Sequence, residues 1–263
     1  MPDLGLTGAR VLVVGGASGI GLACARAFAQ EGARVGVLSR SAASVERALA
    51  GELSPHRDAL ETGVVDVRDD DALGAAVQHL AGRLGGLDHV VVSAGVDGEF
   101  GAGVQEVTRA GFRDVLEVNV AAAFSAVQHA CPHLRRSPAP SVTFVGSDSG
   151  FVTAPGMIAY GASKGALVQL TRVLAHELSA DLLPDPAAGS GIRVNSVCPS
   201  ITDTPMARRG LGVDDFTGAG YPVNSADDVA WAVLFLSSPR SRAVNGVSLL
   251  SDFGYSGRSS FPA

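Results

Sequence analysis

An apolar run from Arg10 to Val14 leads without a spacer into Gly15-Gly16-Ala17-Ser18-Gly19-Ile20-Gly21, and a helical pattern begins at once beyond it, near Leu22. A strand that becomes a helix through closely spaced glycines has few structural options. The turn must be tight, and the first N–H groups of the helix are left open to an anion such as a pyrophosphate, with Gly15, Ser18, Gly19, Ile20 and Gly21 nearest to it. Such a turn also occurs without a ligand. At the end of a first strand and the start of a first helix it points to nucleotide binding.

The rest of the chain keeps the same alternation. Strand candidates are Arg10 to Val14, Arg34 to Leu38, Thr62 to Val65, His89 to Ser93, Val142 to Val145, Ile192 to Val197 and Val247 to Leu250. Helical stretches are Ile20 to Glu31, Asp70 to Leu84, Ala110 to Ala130, Tyr160 to Ser179 and Asp227 to Leu236. The strand candidates are nearly continuous apolar runs, as expected of parallel strands covered on both faces. Strand and helix in strict alternation with right-handed crossovers predict an α/β fold. It is a single doubly wound Rossmann-type domain over residues 1–263, with a seven-stranded parallel sheet and helices on both faces. Leu182 to Gly191, with Pro184, Pro186 and Gly189, reads as an inserted loop before a strand.

Composition narrows the function classes. In 263 residues, 46% are hydrophobic and 17% charged, enough to bury one core. The net charge of −6 argues against a nucleic-acid partner. Three cysteines, Cys24, Cys131 and Cys198, do not make a disulfide framework and fit a reducing compartment. No apolar run approaches the roughly 20 residues of a membrane helix, and Met1 to Gly5 lacks the blocks of a signal peptide. The expectation is a cytoplasmic protein with neither a membrane nor a nucleic-acid partner.

The second strand speaks to the nucleotide. Nicotinamide-dinucleotide folds that prefer NAD(H) place a carboxylate there to take the ribose hydroxyls, yet Ala33 to Val45 contains no acid. Ser39-Arg40 stands in its place. A hydroxyl beside a guanidinium binds a 2′-phosphate that a carboxylate would repel. This favours NADP(H), with NAD(H) as the alternative.

The strongest constellation is Asn119, Ser147, Tyr160 and Lys164. Nineteen of the 20 basic residues are arginine, and Lys164 is the one lysine. It follows Tyr160 by four positions, so the two side chains leave one helix face about 40° apart. With three tyrosines in the chain, that spacing arises by chance about once in a hundred chains. An ammonium beside a phenol favours the phenolate, a proton carrier suited to an alcohol or carbonyl oxygen.

These segments together resemble the short-chain dehydrogenase/reductase family in its form of about 250 residues. The resemblance rests on Gly15 to Gly21, Asp66-Val67, Ser93-Ala94-Gly95, Val118-Asn119-Val120, Ser147, Tyr160 to Lys164, Arg193 to Val197, and Pro199 to Thr204, all in family order. It implies a ketoreductase or dehydrogenase that moves a hydride between nicotinamide and a ketone/secondary alcohol pair. Tyr160 would be the general acid/base and Ser147 would bond the substrate oxygen. Lys164 would lower the Tyr160 pKa and hold the nicotinamide ribose, while Asn119 would orient a water. Asp66 and Val67 would meet the adenine, Ser93, Ala94 and Gly95 the adenosine ribose, and Pro199, Thr202 and Thr204 the nicotinamide. A homotetramer is implied as well. The chain departs from the family at Val14 for a threonine, Val92-Ser93 for paired asparagines, Ser200 for a glycine, and Asp252-Phe253-Gly254 for Asp-Gly-Gly.

Other features read more plainly. His129 and His133 flank Cys131, but Pro132 suggests a helix end and no carboxylate is in register, so no metal is expected. Ser225 to Asp228 reads as a helix cap. Phe151, Val152 and Met157 are expected on one wall of a substrate site, facing a glycine-rich lid over 200–221. The partner is then a small, mostly apolar carbonyl or alcohol. A nucleotide-binding protein without chemistry is the reading from another class, and the intact Asn119, Ser147, Tyr160 and Lys164 argue against it.

Overall fold

A computed structural model describes residues 3–179 and 191–257. Its strands are β1 (Arg10–Val14), β2 (Arg34–Ser39), β3 (Leu60–Val64), β4 (His89–Val92), β5 (Ser141–Val145), β6 (Arg193–Pro199) and β7 (Ser248–Ser251). They form one sheet in the order β3-β2-β1-β4-β5-β6-β7, and every pairing is parallel. The helices are α1 (Gly19–Gln30), α2 (Ala42–Ala50), α3 (Asp70–Leu84), α4 (Arg109–Leu116), α5 (Ala122–Leu134), α6 (Ile158–Glu177), α7 (Pro205–Leu211) and α8 (Ala226–Ser237).

The apolar strands bury both faces. Val11 and Val13 belong to the core shared with α1 and α8, while Leu12 and Val14 belong to the core under α3, α5 and α6. Successive side chains of a strand point to opposite faces, so β1 is apolar throughout Val11 to Val14, and its one polar residue, Arg10, stands at its start. The chain winds outward from β1 to β3 and then crosses back to β4. The carboxyl ends of β1 and β4 therefore send their connections to opposite sides, which opens a crevice where ligands bind in such sheets.

Several local expectations change. The predicted Ala110 to Ala130 helix is α4 and α5 joined by a π turn, Glu117–Ala121, and α5 runs on through Pro132 to Leu134. Pro132 lies in the last turn, where it removes one N–H donor from the helix ladder without ending the helix there. Helices α2 and α7 are not legible in the sequence, being only nine and seven residues long. Leu182 to Ser190 of the expected loop lie outside the described residues. The Ser225 cap is present as a reciprocal box, with Ser225 N donating to Asp228 Oδ2 at 2.8 Å and Asp228 N to Ser225 Oγ at 3.2 Å. His129 and His133 bind Asp70 and Gln78 on α3 at 3.0 and 2.9 Å, and no metal-ligating cluster occurs among the described residues. No helix there is long and apolar enough to cross a membrane.

At the far end of the sheet from the crevice, Asp88 ties β1 to β4. It accepts from Arg10 N and Nε at 2.9 and 2.8 Å, Arg10 Nη2 at 2.6 Å and Ser137 Oγ at 2.6 Å. Burial alone would raise its pKa, but these donors bring it down to about 2. Its folded pKa is depressed, so its stabilisation is complete above the ordinary carboxyl range and is lost as pH falls from about 4 toward about 2. Asp88→Ala should destabilise by about 2–3 kcal/mol, since it strands a guanidinium and a hydroxyl. In urea melts, the difference from wild type should shrink below pH 4. A difference that stays constant into acid would show that packing, and not the carboxylate, carries it.

Candidate active site

The crevice at the carboxyl ends of the strands is a cavity of about 940 Å³. Its floor begins at the glycine turn. Gly15 N and Gly16 N donate to Leu38 O, while Ser93 N and Ala94 N donate to Val14 O, all at 2.8–3.0 Å. This pins the turn between β2 and β4. Gly15 has φ +85°, and a Cβ there would lie 2.6 Å from Ala94 N. Gly19 has φ +52°. A Cβ on Gly21 would strike the Gly15 carbonyl, so this glycine packs α1 against the turn and does not line the cavity. Ser18 occupies the N-cap of α1 but makes no side-chain cap bond, and the first turn carries no acid. The helix start thus faces the cavity with donors left for an anion.

Toward β2 and β3 the wall is made by Ser39, Arg40, Asp66, Val67 and Arg68. Asp66 Oδ1 accepts from Arg68 N at 3.1 Å and Nη1 at 3.2 Å, which lowers its pKa. Arg68 also pairs with Asp114 through Nε at 2.8 Å and Nη2 at 2.9 Å. Arg68 was missed in the sequence, where one arginine among nineteen carries no signal. Arg40 is exposed and makes no hydrogen bond or ion pair among the described residues, so its guanidinium is available at the mouth of this end.

The other half of the cavity holds Ser147, Tyr160 and Lys164. Beyond β5, Gly146 is required because a Cβ would lie 2.6 Å from Cys198 Sγ. The chain then enters a 3₁₀ turn, Asp148–Gly150, with Ser147 at its N-cap. Ser147 Oγ accepts from Ser149 N and donates to Asp148 Oδ1, both at 3.1 Å. Helix α6 brings Tyr160 and Lys164 to the same wall, with Lys164 Nζ 5.5 Å from the centre of the Tyr160 ring. Lys164 is buried and donates to Val145 O at 2.9 Å.

The electrostatics differ from expectation in one respect. Burial pushes Tyr160 up to about 12, Ser147 opposes it, and the charges of Asp148 and Asp97 add to the rise. Burial likewise brings Lys164 down to about 8. The predicted lowering of the Tyr160 pKa by Lys164 is therefore not met in this structure. The ammonium is turned to a backbone carbonyl, and the loss of water around the phenol outweighs it.

Asn119 is set one layer behind the cavity, in the π turn. Its Oδ1 accepts from Val96 N at 2.8 Å, and its Nδ2 donates to Val96 O and Ser163 Oγ, both at 2.9 Å. Ser163 Oγ in turn donates to Tyr160 O at 2.7 Å. The side chain clamps the Gly95-Val96 loop to the Tyr160 turn of α6. A Cβ on Gly95 would lie 3.3 Å from Asn119 Oδ1 and 4.0 Å from Lys164 Nζ, so Gly95 keeps the floor open.

Pro199, Thr202 and Thr204 line the remaining end. Thr204 Oγ1 caps α7 by accepting from Ala207 N at 3.2 Å. A Cβ on Gly19 would lie 3.3 Å from Thr204 Cγ2, so the two ends of the cradle meet. Ser200, the departure from glycine, turns its Oγ to Asn224 Nδ2 at 3.2 Å. Val152 and Met157 line the cavity, as do Met206, Leu211 and Tyr221 from the 200–221 stretch, but Phe151 of the expected wall is exposed and not part of it. Asp97, Asp148 and Arg209 add unforeseen charge, with Arg209 Nη2 3.6 Å from Asp97 Oδ1.

Comparison with known proteins gives a consistent picture. Residues 15–256 match the family model described as enoyl-(acyl carrier protein) reductase. Short-chain dehydrogenase srdC of Neurospora crassa is 34% identical over 95% of this chain and 97% of its own length. The 2-(R)-hydroxypropyl-CoM dehydrogenase of Xanthobacter autotrophicus is 34% identical over 93% of this chain and 97% of its own. Among solved structures, a short-chain dehydrogenase of Shigella flexneri complexed with NADP superposes with a TM-score of 0.83 at 25% identity. That match covers 95% of this chain and 99% of the other.

Proposed function

Since the chain belongs to the short-chain dehydrogenase/reductase family, we propose that this oxidoreductase is NADP(H)-dependent and interconverts a ketone and a secondary alcohol on a mostly apolar small molecule. One observation carries this reading. A single cavity holds an open helix N-terminus and the Arg40 guanidinium at one end and Ser147, Tyr160 and Lys164 at the other.

The residues fit a nicotinamide dinucleotide. Gly15 and Gly95 leave floor space that a Cβ would fill, the start of α1 supplies donors for a pyrophosphate, and Arg40 is available for a 2′-phosphate. Asp66 and Val67 would flank the adenine, Ser93 and Ala94 the adenosine ribose, and Pro199, Thr202 and Thr204 the nicotinamide. When bound, the cofactor supplies or accepts the hydride. Tyr160 gives its phenolic proton to the carbonyl oxygen in reduction and takes it back in oxidation. Ser147 holds that oxygen by donating to it, and Lys164 supplies positive charge that offsets the cost of burying a phenolate. Asn119 keeps this wall in register through the Val96 and Ser163 bonds.

The apolar wall of Val152, Met157, Met206 and Leu211 supports an apolar substrate body. We place a mobile lid over 200–221, built on α7, and a homotetramer formed through α5 and α6, where Phe124 and Val173 are exposed. The three unpaired cysteines support a cytoplasmic setting. The test is a panel of ketones and secondary alcohols assayed with both nicotinamide cofactors. Turnover of an apolar ketone with NADPH is expected. Quenching of nicotinamide fluorescence without turnover of any panel member would instead mark a binding protein.

A further inference from the structure

Asp148 is a partly buried acid in the wall of the cavity, adjacent to Ser147, and the chemistry above makes no use of it. Ser147 has one hydroxyl proton. In this structure Asp148 Oδ1 takes it at 3.1 Å, with Ser149 Oγ more distant at 3.5 Å from the same oxygen. The substrate oxygen and the Tyr160 oxygen need that same proton.

We propose that Asp148 is a positioning residue of the proton relay: its carboxylate claims the Ser147 proton in the resting site and, by that bond and its negative charge, keeps Tyr160 in the protonated form. The inference rests on Tyr160 being the proton carrier. A hydrogen bond to an ionised acceptor is about twice as strong as one between neutral groups, so Asp148 competes with Tyr160 for the Ser147 proton, whose bond to the phenol favours the phenolate. The charge acts in the same sense, since a second anion beside a buried phenol opposes its ionisation. Asp148 and Asp97 both contribute to the raised Tyr160 pKa.

The surroundings leave this charge uncompensated. From α6, Lys164 faces the site but spends a bond on Val145 O. From β6, Cys198 is a thiol whose pKa burial raises, so it adds no cation. Beyond β7, Asp252 is another anion, held by Gly254 N at 3.0 Å and Ser256 N at 2.8 Å. From the loop after β4, Asp97 is matched by Arg209. No arginine pairs with Asp148 among the described residues. Burial and the Asp252 charge raise the pKa of Asp148 itself. As pH falls the carboxyl therefore takes up a proton earlier than a free one would, and Ser147 is released to donate to a carbonyl.

The test needs no substrate. Tyrosinate absorbance is recorded within milliseconds of an alkaline pH jump, before the protein can unfold, in wild type, Asp148→Asn, Asp148→Glu and Tyr160→Phe. The step that Tyr160→Phe deletes belongs to Tyr160. In Asp148→Asn that step should move down by about one pH unit, while Asp148→Glu, which keeps the charge, should stay near wild type. A Tyr160 step that is unmoved in Asp148→Asn, or that lies beyond the alkaline end in both proteins, overturns the proposal. Should the asparagine variant not fold, Asp148→Ser is read the same way. The outcome is separable from the proposed function, because retained turnover in Tyr160→Phe would remove that reading whatever the titration shows.

Discussion

Replacing Tyr160 by phenylalanine should lower kcat by at least about a hundredfold and leave NADPH binding within a factor of about three. The change deletes one oxygen. The ring still fills its place at the start of α6, and the Ser163 bond to the Tyr160 backbone oxygen does not involve the phenol. What disappears is the one proton donor in the cavity whose neighbours also include a hydroxyl and an ammonium. Ser147 cannot substitute, because a serine hydroxyl is a far weaker acid than a phenol and its proton is bonded to the Asp148 carboxylate, and Lys164 is turned to Val145 O. The measurement pairs steady-state kinetics on the most active panel ketone with NADPH titration by fluorescence. Retention of more than a few per cent of kcat would remove Tyr160 from the chemistry. Loss of cofactor binding in parallel would mean that the phenol serves the fold of the site and not the reaction.

Exchanging Ser39 for Asp and Arg40 for Leu together should reverse cofactor preference from NADP(H) to NAD(H) with kcat largely kept. Wild type is expected to favour NADP(H) by about ten- to a hundredfold, the worth of one exposed charge-assisted contact at roughly 1.5–3 kcal/mol. The preference should decline with added salt, since Arg40 is exposed and its attraction is screened. It should not be larger, because Arg68, the other cation on this wall, is committed to Asp66 and Asp114. In the double variant the guanidinium is gone and a carboxylate at the end of β2 can accept from the ribose hydroxyls while repelling a phosphate. The ratio of kcat/KM for the two cofactors in both proteins decides it. A wild type that already favours NAD(H), or a ratio that does not move, would make Arg40 a solvated bystander and establish the NAD(H) alternative.

The sequence by itself determined the parallel sheet, because unbroken apolar strands such as Val11 to Val14 can be buried only when both faces are covered. It also determined the glycine turn, since Gly15 and Gly19 take backbone angles that other residues resist, and the pairing of Tyr160 with Lys164, which depends only on helical spacing. These are local consequences, decided by residues within a few positions of one another. What lies across the chain was decided by the tertiary structure. Asn119 is legible only as a member of the candidate constellation, and the π turn decides that it bonds Val96 and Ser163, while Arg68 gains its place only when α4 brings Asp114 to it. The phenol pKa depends on packing for the same reason. Sequence spacing places a cation near Tyr160, but burial, the carboxylates of Asp148 and Asp97, and the carbonyl of Val145 that takes up the ammonium are properties of packing. Charge in a low-dielectric cleft is set by everything that faces it, and a linear sequence does not specify which distant residues those will be.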